Sequence, residues 1–86
     1  MYIFLVQRTD KVGYDEYDSF ICVANSESQA RLMNPNYNEI ENNLYFNFDY
    51  PYISDWVKNP NSLVVTKIGK ADSNQPRVIL SSYNAG

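Results

Sequence analysis

The carboxylates of this sequence crowd into one short stretch. Asp10, Asp15, Glu16 and Asp18 lie close together, with Gly13 among them. A calcium loop needs six or seven oxygen ligands on a glycine-assisted turn, and the EF-hand spacing is missing. A glycosidase pair would need a cleft that an 86-residue chain can scarcely form. The pattern therefore predicts a solvated loop and no metal site.

The nucleophilic side chains have no activating partners. Cys22 is the only cysteine, and the chain has no histidine, which removes the commonest general base. Cys22 lies in the apolar run 20–24, so we expect a buried structural thiol. Ser81 and Ser82 lack a neighbouring base and a Gly-x-Ser-x-Gly turn, and no glycine-rich phosphate loop is present. The sequence predicts a protein without catalytic residues or a cofactor.

The cationic residues offer a binding hypothesis. Seven lysines and arginines are spread along the chain. If Arg31, Arg77 and Tyr83 converge, they would form a ligand-binding pocket for a small, planar, anionic molecule such as a nucleotide. Scattered surface charge is the alternative interpretation.

Aromatic residues dominate the irregular stretch from Leu44 to Trp56. The chain has eight tyrosines and eleven asparagines, residue types that are common on contact surfaces. Long irregular connections in small domains are more often functional than idle. Candidate protein-interface residues are Tyr45, Phe46, Phe48, Tyr50, Tyr52 and Trp56. Burial in the core remains open for this segment and for Trp56 in particular, and an asparagine-rich composition also arises in AT-rich genomes.

Length and composition predict one small domain over residues 1–86. No apolar run approaches the 18 residues of a membrane span, so no membrane partner is expected. Met1–Val6 lacks the basic start of a signal peptide and is expected to be a first strand of a cytoplasmic protein. The net charge of -3 argues against a general nucleic-acid coat.

Alternating apolar residues predict four strands, and a capping pattern predicts one helix. Ser26 and Gln29 have the spacing of a capping box, and Pro35 limits the helix to Ser26–Met33. We expect the last two strands to pair with each other, as the first two do, with Gly69 marking a bulge or a close backbone approach. The predicted strands are Tyr2–Thr9, Ser19–Ala24, Ser62–Ala71 and Val78–Tyr83. Weaker patterns suggest a short strand over 44–48 and a helical turn capped by Ser54.

The fold class that follows is α+β: an antiparallel sheet of about four strands with one main helix on one face, in the order β-β-α-β-β. The predicted core residues are Ile3, Leu5, Phe20, Cys22, Ala30, Met33, Val65, Ile68, Val78 and Leu80.

Three segments together resemble small proteins of unknown function encoded by bacteriophages. They are 14–18 ahead of a strand, 26–31 opening the helix, and 68–71 followed by the ending 78–86. The resemblance implies a viral origin, and proteins of this kind often act by binding. The leading expectation is a non-enzymatic inhibitor of a host defence protein, acting in the host cytoplasm. The alternative is a sponge that sequesters a small nucleotide signal.

Self-association is a further expectation. So many aromatic residues on one connection are difficult to bury within a single small domain, and exposed apolar patches usually mark interfaces. The first and last strands are expected to leave a free sheet edge. Pairing of that edge with the same edge of a second copy, across a two-fold axis, would cover it. The sequence therefore predicts a homo-oligomer, with the aromatic segment or a sheet edge at the contact.

Overall fold

The computed structural model describes residues 1–49 and 55–85. These residues contain four strands and one α-helix, in the predicted α+β order. The elements are β1 (Tyr2–Arg8), β2 (Glu16–Ala24), α1 (Glu27–Arg31), β3 (Leu63–Lys70) and β4 (Arg77–Asn84). The predicted fold class, an antiparallel sheet with one short helix, is confirmed.

The strand order across the sheet is β3-β1-β2-β4. The predicted pairing of β1 with β2 is confirmed, but the predicted pairing of β3 with β4 is wrong: β3 pairs with β1, and β4 pairs with β2. Residues 71–76 therefore link the two opposite edges, and Ala71 N donates to Met1 O at 3.0 Å. The first strand is central rather than an edge. The more apolar strands occupy the centre, whereas the edges carry lysine, arginine and serine side chains, as edge strands commonly do.

One face of the sheet is covered by α1 and by the connections that follow it. The buried cluster alternates along the strands, and Trp56 and Val57 close it from outside the sheet. Its buried members are Phe4, Val6, Phe20, Cys22, Ala24, Ala30, Met33, Trp56, Val57 and Leu63.

The predicted core was right in part. Phe20, Cys22, Ala30 and Met33 are buried as expected. On β1, however, the face was wrong: the alternate residues Phe4 and Val6 are buried, while Ile3 and Leu5 are half-buried on the other face. On the edge strands, Val65 and Val78 are half-buried, whereas Ile68 and Leu80 are exposed. A strand that is apolar on both faces gives no internal signal of which face meets the helix.

The helix is shorter than predicted, ending at Arg31 rather than Met33. It ends there because Met33 forms an isolated bridge with Tyr45 instead of a further helical turn. The strand predicted over 44–48 is reduced to this single bridge.

The predicted helical turn after Ser54 is not formed by its described residues, and Ser54 itself lies outside them. Residues 55–59 form no helix, and a 3-10 turn follows at Pro60–Ser62. The bulge predicted at Gly69 is present, since Ile3 faces Gly69 whereas Phe4 faces Lys67.

The predicted capping box holds the start of α1. Ser26 Oγ accepts from Gln29 N at 3.2 Å, and Gln29 Oε1 accepts from Asn25 N at 2.7 Å. We expect Ser26→Ala to lower the free energy of unfolding by about 1 kcal/mol, because the cap satisfies an otherwise unpaired amide. Ser28→Ala, an exposed serine in the same helix, is the matched control. Urea unfolding followed by circular dichroism measures both, and equal midpoints for the two variants would contradict the role of the cap.

Candidate protein-binding surface

The connection from residue 34 to residue 49 is irregular but internally bonded by asparagine side chains. Asn43 Oδ1 accepts from Asn38 N at 2.7 Å, and Asn43 Nδ2 donates to Asn36 O at 3.1 Å. Asn34 Nδ2 donates to Asn43 O, and Asn38 Oδ1 accepts from Ile40 N. Side-chain amides satisfy backbone groups that have no strand or helix partner. The asparagine-rich composition therefore has a structural use in this segment.

A short ladder fixes the orientation of Tyr45. Phe46 N donates to Leu32 O at 2.9 Å, and Asn34 N donates to Leu44 O at 2.8 Å. Alternation along this extended stretch turns Leu44 and Phe46 toward the core cluster. The side chain of Tyr45 therefore points outward, and the residue is 52% exposed.

The exposed ring of Tyr45 is also held at its far end. Gln29 Nε2 donates to Tyr45 Oη at 2.9 Å, and the capping box in turn holds Gln29. Leu32, the C-cap residue of α1, lies exposed beside this pair. The groove so formed has a volume of about 510 Å³ and is lined by Asn25, Ser26, Ser28, Gln29, Leu32 and Tyr45. We call it the Tyr45 groove.

The other predicted interface residues have different positions. Phe46 and Phe48 are half-buried, pack on the core cluster and contact each other edge to face at 4.8 Å between ring centroids. Trp56 is 2% exposed, with its ring 5.5 Å from that of Phe20, so it is a core residue. Tyr50 and Tyr52 lie outside the described residues. Of the described candidates, only Tyr45 presents half of its surface to solvent.

The structure does not bring the three predicted ligand-binding residues together. Arg31 Nη1 donates to Leu63 O at 2.7 Å and to Pro60 O at 3.1 Å, joining α1 to β3 on the covered face. Arg77 lies on the opposite face, beside Val23 at the start of β4. Tyr83 lies near the other end of that strand, and its ring contacts the ring of Tyr17 edge to face at 4.8 Å between centroids. Desolvation raises the pKa of Tyr83, and the carboxylates of Asp15 and Asp55 add to this. Arg31 thus joins two elements and is separated by the sheet from Arg77.

The structural role of Arg8, at the end of β1, was missed by sequence reasoning. The Arg8 side chain is 3% exposed and lies 5.8 Å above the ring of Trp56. It donates from Nε and Nη2 to Asp10 and from Nη1 to Glu16 and to Tyr17 O. The signal was available, since two of the clustered acids follow a strand that ends in an arginine.

A cavity of about 390 Å³ lies beside Arg8, with Trp56, Lys11 and Lys58 among its lining residues. The guanidinium has its donors paired within the chain, so it is not available to an anionic ligand. Trp56 Nε1 is buried and has no acceptor among the described residues. We call Arg8 and its partners Asp10, Glu16 and Tyr17 the Arg8 cluster. We interpret this cluster as a structural feature that stabilises this end of the sheet.

The described residues contain no group of three or more His, Cys, Asp or Glu side chains placed to hold a metal ion. Cys22 is buried, and desolvation raises the pKa of its thiol to about 12, so the thiolate nucleophile does not form at neutral pH. No helix in the described part of the chain is long and apolar enough to cross a membrane.

Comparison with models of protein families, with curated proteins and with solved structures finds no match for this chain. The function must therefore be inferred from the geometry of the surface itself.

Proposed function

We propose that this chain is a non-enzymatic protein-binding module and that it binds its partner in the Tyr45 groove. The observation that carries the proposal is the position of Tyr45. Its side chain is half exposed, yet hydrogen bonds hold both the backbone on either side of it and its hydroxyl group. The backbone ladder to Leu32 and Asn34 fixes one end, and the bond from Gln29 fixes the hydroxyl.

Such an arrangement suits binding because the ordering cost is met during folding. An exposed aromatic side chain that is already fixed loses little rotamer freedom when a partner covers it. The groove combines apolar area on Leu32 and Tyr45 with hydroxyl and amide groups from Ser26, Ser28 and Asn25. An apolar centre with a polar rim is the usual anatomy of a protein interface.

The class of partner that we propose is a host defence protein, as the resemblance to small phage proteins implies. Binding at the Tyr45 groove would inhibit the defence protein by covering the surface that the defence protein needs for its own activity. The buried Cys22 thiol and the missing histidine both favour such a binding role over catalysis.

The test is a Tyr45→Ala variant in a plaquing assay. The wild-type chain is expressed in bacterial strains that each carry one defence system, and one strain should regain sensitivity to infection. Tyr45→Ala should lose that effect. With the purified defence protein, calorimetry should show binding weakened by about thirtyfold or more, which is the loss typical of a hot-spot tyrosine.

Tyr14→Ala is the matched control, because Tyr14 is 79% exposed on the loop before β2. It should restore infection as the wild type does. Loss of function in both variants, or in neither, would contradict the Tyr45 groove as the binding site. Turnover of any bound molecule would contradict the non-enzymatic role.

A further inference from the structure

The second face of the sheet carries three rows of side chains that run across all four strands. The strand register defines each row, because paired residues project to the same side. In the order β3, β1, β2, β4, the upper row is Gly69, Ile3, Val23 and Arg77; the middle row is Thr66, Leu5, Ile21 and Leu80; the lower row is Val64, Gln7, Ser19 and Ser82.

This face has an apolar centre. Ile3, Leu5 and Ile21 are half-buried, and Leu80 is 65% exposed. A shallow cavity of about 250 Å³ lies against Leu5, Ile21 and Leu80. Val23 in the upper row is 2% exposed, so it is already buried within the single chain. None of the rows' residues belongs to the buried cluster on the covered face or to the partly buried hydrophobic residues packed against that cluster. Contiguous apolar area of this kind usually marks an interface.

Opposite charges lie at the two ends of the β2–β4 pair on this face. Arg77 stands in the upper row, and it forms no ion pair within the described part of the chain. The carboxylate of Asp18 lies at the lower row, where Oδ1 accepts from Ser19 Oγ at 2.7 Å and Oδ2 accepts from Ser82 Oγ at 3.1 Å. No described cation lies within ion-pair distance of Asp18 either.

We infer that a second copy of this chain covers the face, related by a two-fold axis that runs along the middle row. Such an axis sets each upper row over the partner's lower row, with β4 over β4. Arg77 of each copy then meets Asp18 of the other, and Leu5, Ile21 and Leu80 pack on their own counterparts. A two-fold interface must be self-complementary, and the two opposite charges and the apolar residues of the middle row satisfy that condition.

The other in-plane two-fold axis, parallel to the strands, satisfies it less well. It would place Arg77 over Gly69 and Asp18 over Val64, leaving both charges without a partner in a desolvated contact, which is costly. The charge pattern therefore selects both the occupant and its orientation. The Tyr45 groove is on the covered side, so the dimer presents two grooves that face outward.

The first test is the mass in solution by light scattering coupled to gel filtration, at tens of micromolar. The wild type should elute as two chains. Leu80→Asp should elute as one chain, with dimerisation weakened by roughly a hundredfold or more because a carboxylate would be buried unpaired. Its fold should be retained, because Leu80 is largely exposed in the single chain.

Ile40→Asp, at a 94% exposed position on the 34–49 connection, is the matched control and should remain a dimer. A wild type of one chain, or a dimeric Leu80→Asp, would overturn the inference.

The second test uses charge reversal and addresses the axis. Arg77→Asp alone and Asp18→Arg alone each place like charges together, so each should elute as one chain. Mixing the two variants restores both ion pairs in a heterodimer. The carboxylate introduced at position 77 of one chain meets the guanidinium introduced at position 18 of the other, and the unaltered Asp18 meets the unaltered Arg77. Equimolar mixing should therefore give a mass of two chains. A mixture that stays at one chain would overturn the proposed axis.

Discussion

Replacing Trp56 by alanine should lower the free energy of unfolding by about 4 kcal/mol, a large part of what a domain of this size has. Trp56 is almost fully buried, packs against Phe20 and supports the Arg8 guanidinium. Alanine would remove the largest side chain in the buried cluster and leave a cavity that the surrounding strands cannot fill. Since Trp56 is the only tryptophan, urea unfolding is followed by circular dichroism rather than by fluorescence.

Trp56→Phe separates the two contributions of this residue. Phenylalanine keeps an aromatic ring against Phe20 and removes the indole N–H, which has no acceptor among the described residues. We expect a loss of about 1.5 kcal/mol, because part of the lost volume is offset by the removal of an unpaired polar group. A loss as large as that of Trp56→Ala would contradict this account of the core.

Replacing Arg8 by methionine should lower the free energy of unfolding by about 3 kcal/mol at pH 7. Methionine retains the apolar stem over Trp56 but removes every hydrogen bond to Asp10, Glu16 and Tyr17 O. Lys70→Met on the exposed edge of β3 is the control and should change stability by less than about 0.5 kcal/mol.

The difference between the wild type and Arg8→Met should shrink in acid. The hydrogen bond from Arg8 holds the pKa of Asp10 below its ordinary value of 3.8. A lowered folded-state pKa means that this stabilisation is complete above the ordinary pKa and is lost as pH falls through the folded-state value. Urea unfolding at pH 7 and near pH 3 measures the free energy of unfolding of both proteins. An equal difference between wild type and Arg8→Met at the two pH values would contradict the stabilising role of the Arg8–Asp10 pair.

Local patterns were enough to predict the elements themselves. Runs of β-branched and aromatic residues gave four strands, and Ser26 with Gln29 gave the start of the helix, because capping depends only on residues a few positions apart. The bulge at Gly69 was predictable in the same way, because a glycine within a strand is itself a local signal.

The pairing of the strands and the buried face of β1 could not be predicted locally. Residues 71–76 are polar and turn-forming, and such a link serves a hairpin or a crossing between edges equally well. Apolar residues occupy both sides of β1, so Phe4 is distinguished from Ile3 only by its long-range contact with the cluster around Trp56 and Phe20. The same ambiguity concealed the apolar rows of the second face.

The candidate site was predicted only in part. The sequence identified Tyr45 among six interface candidates, but the groove depends on the ladder to Leu32 and on Gln29, which is sixteen residues away. The sequence predicts a ligand contact at Arg31, whereas in the structure its Nη1 donors join α1 to the start of β3. Side-chain partners at such separations follow from the tertiary fold.

The most direct measurement of the central claim is calorimetric titration of the inhibited defence protein into three forms of this chain: wild type, Tyr45→Ala and Leu80→Asp. If the partner binds in the Tyr45 groove, Leu80→Asp should bind one partner per chain with unchanged affinity, and Tyr45→Ala should bind more weakly by about thirtyfold or more. Loss of binding in Leu80→Asp together with full binding in Tyr45→Ala would place the partner on the second face of the sheet and contradict the proposed function.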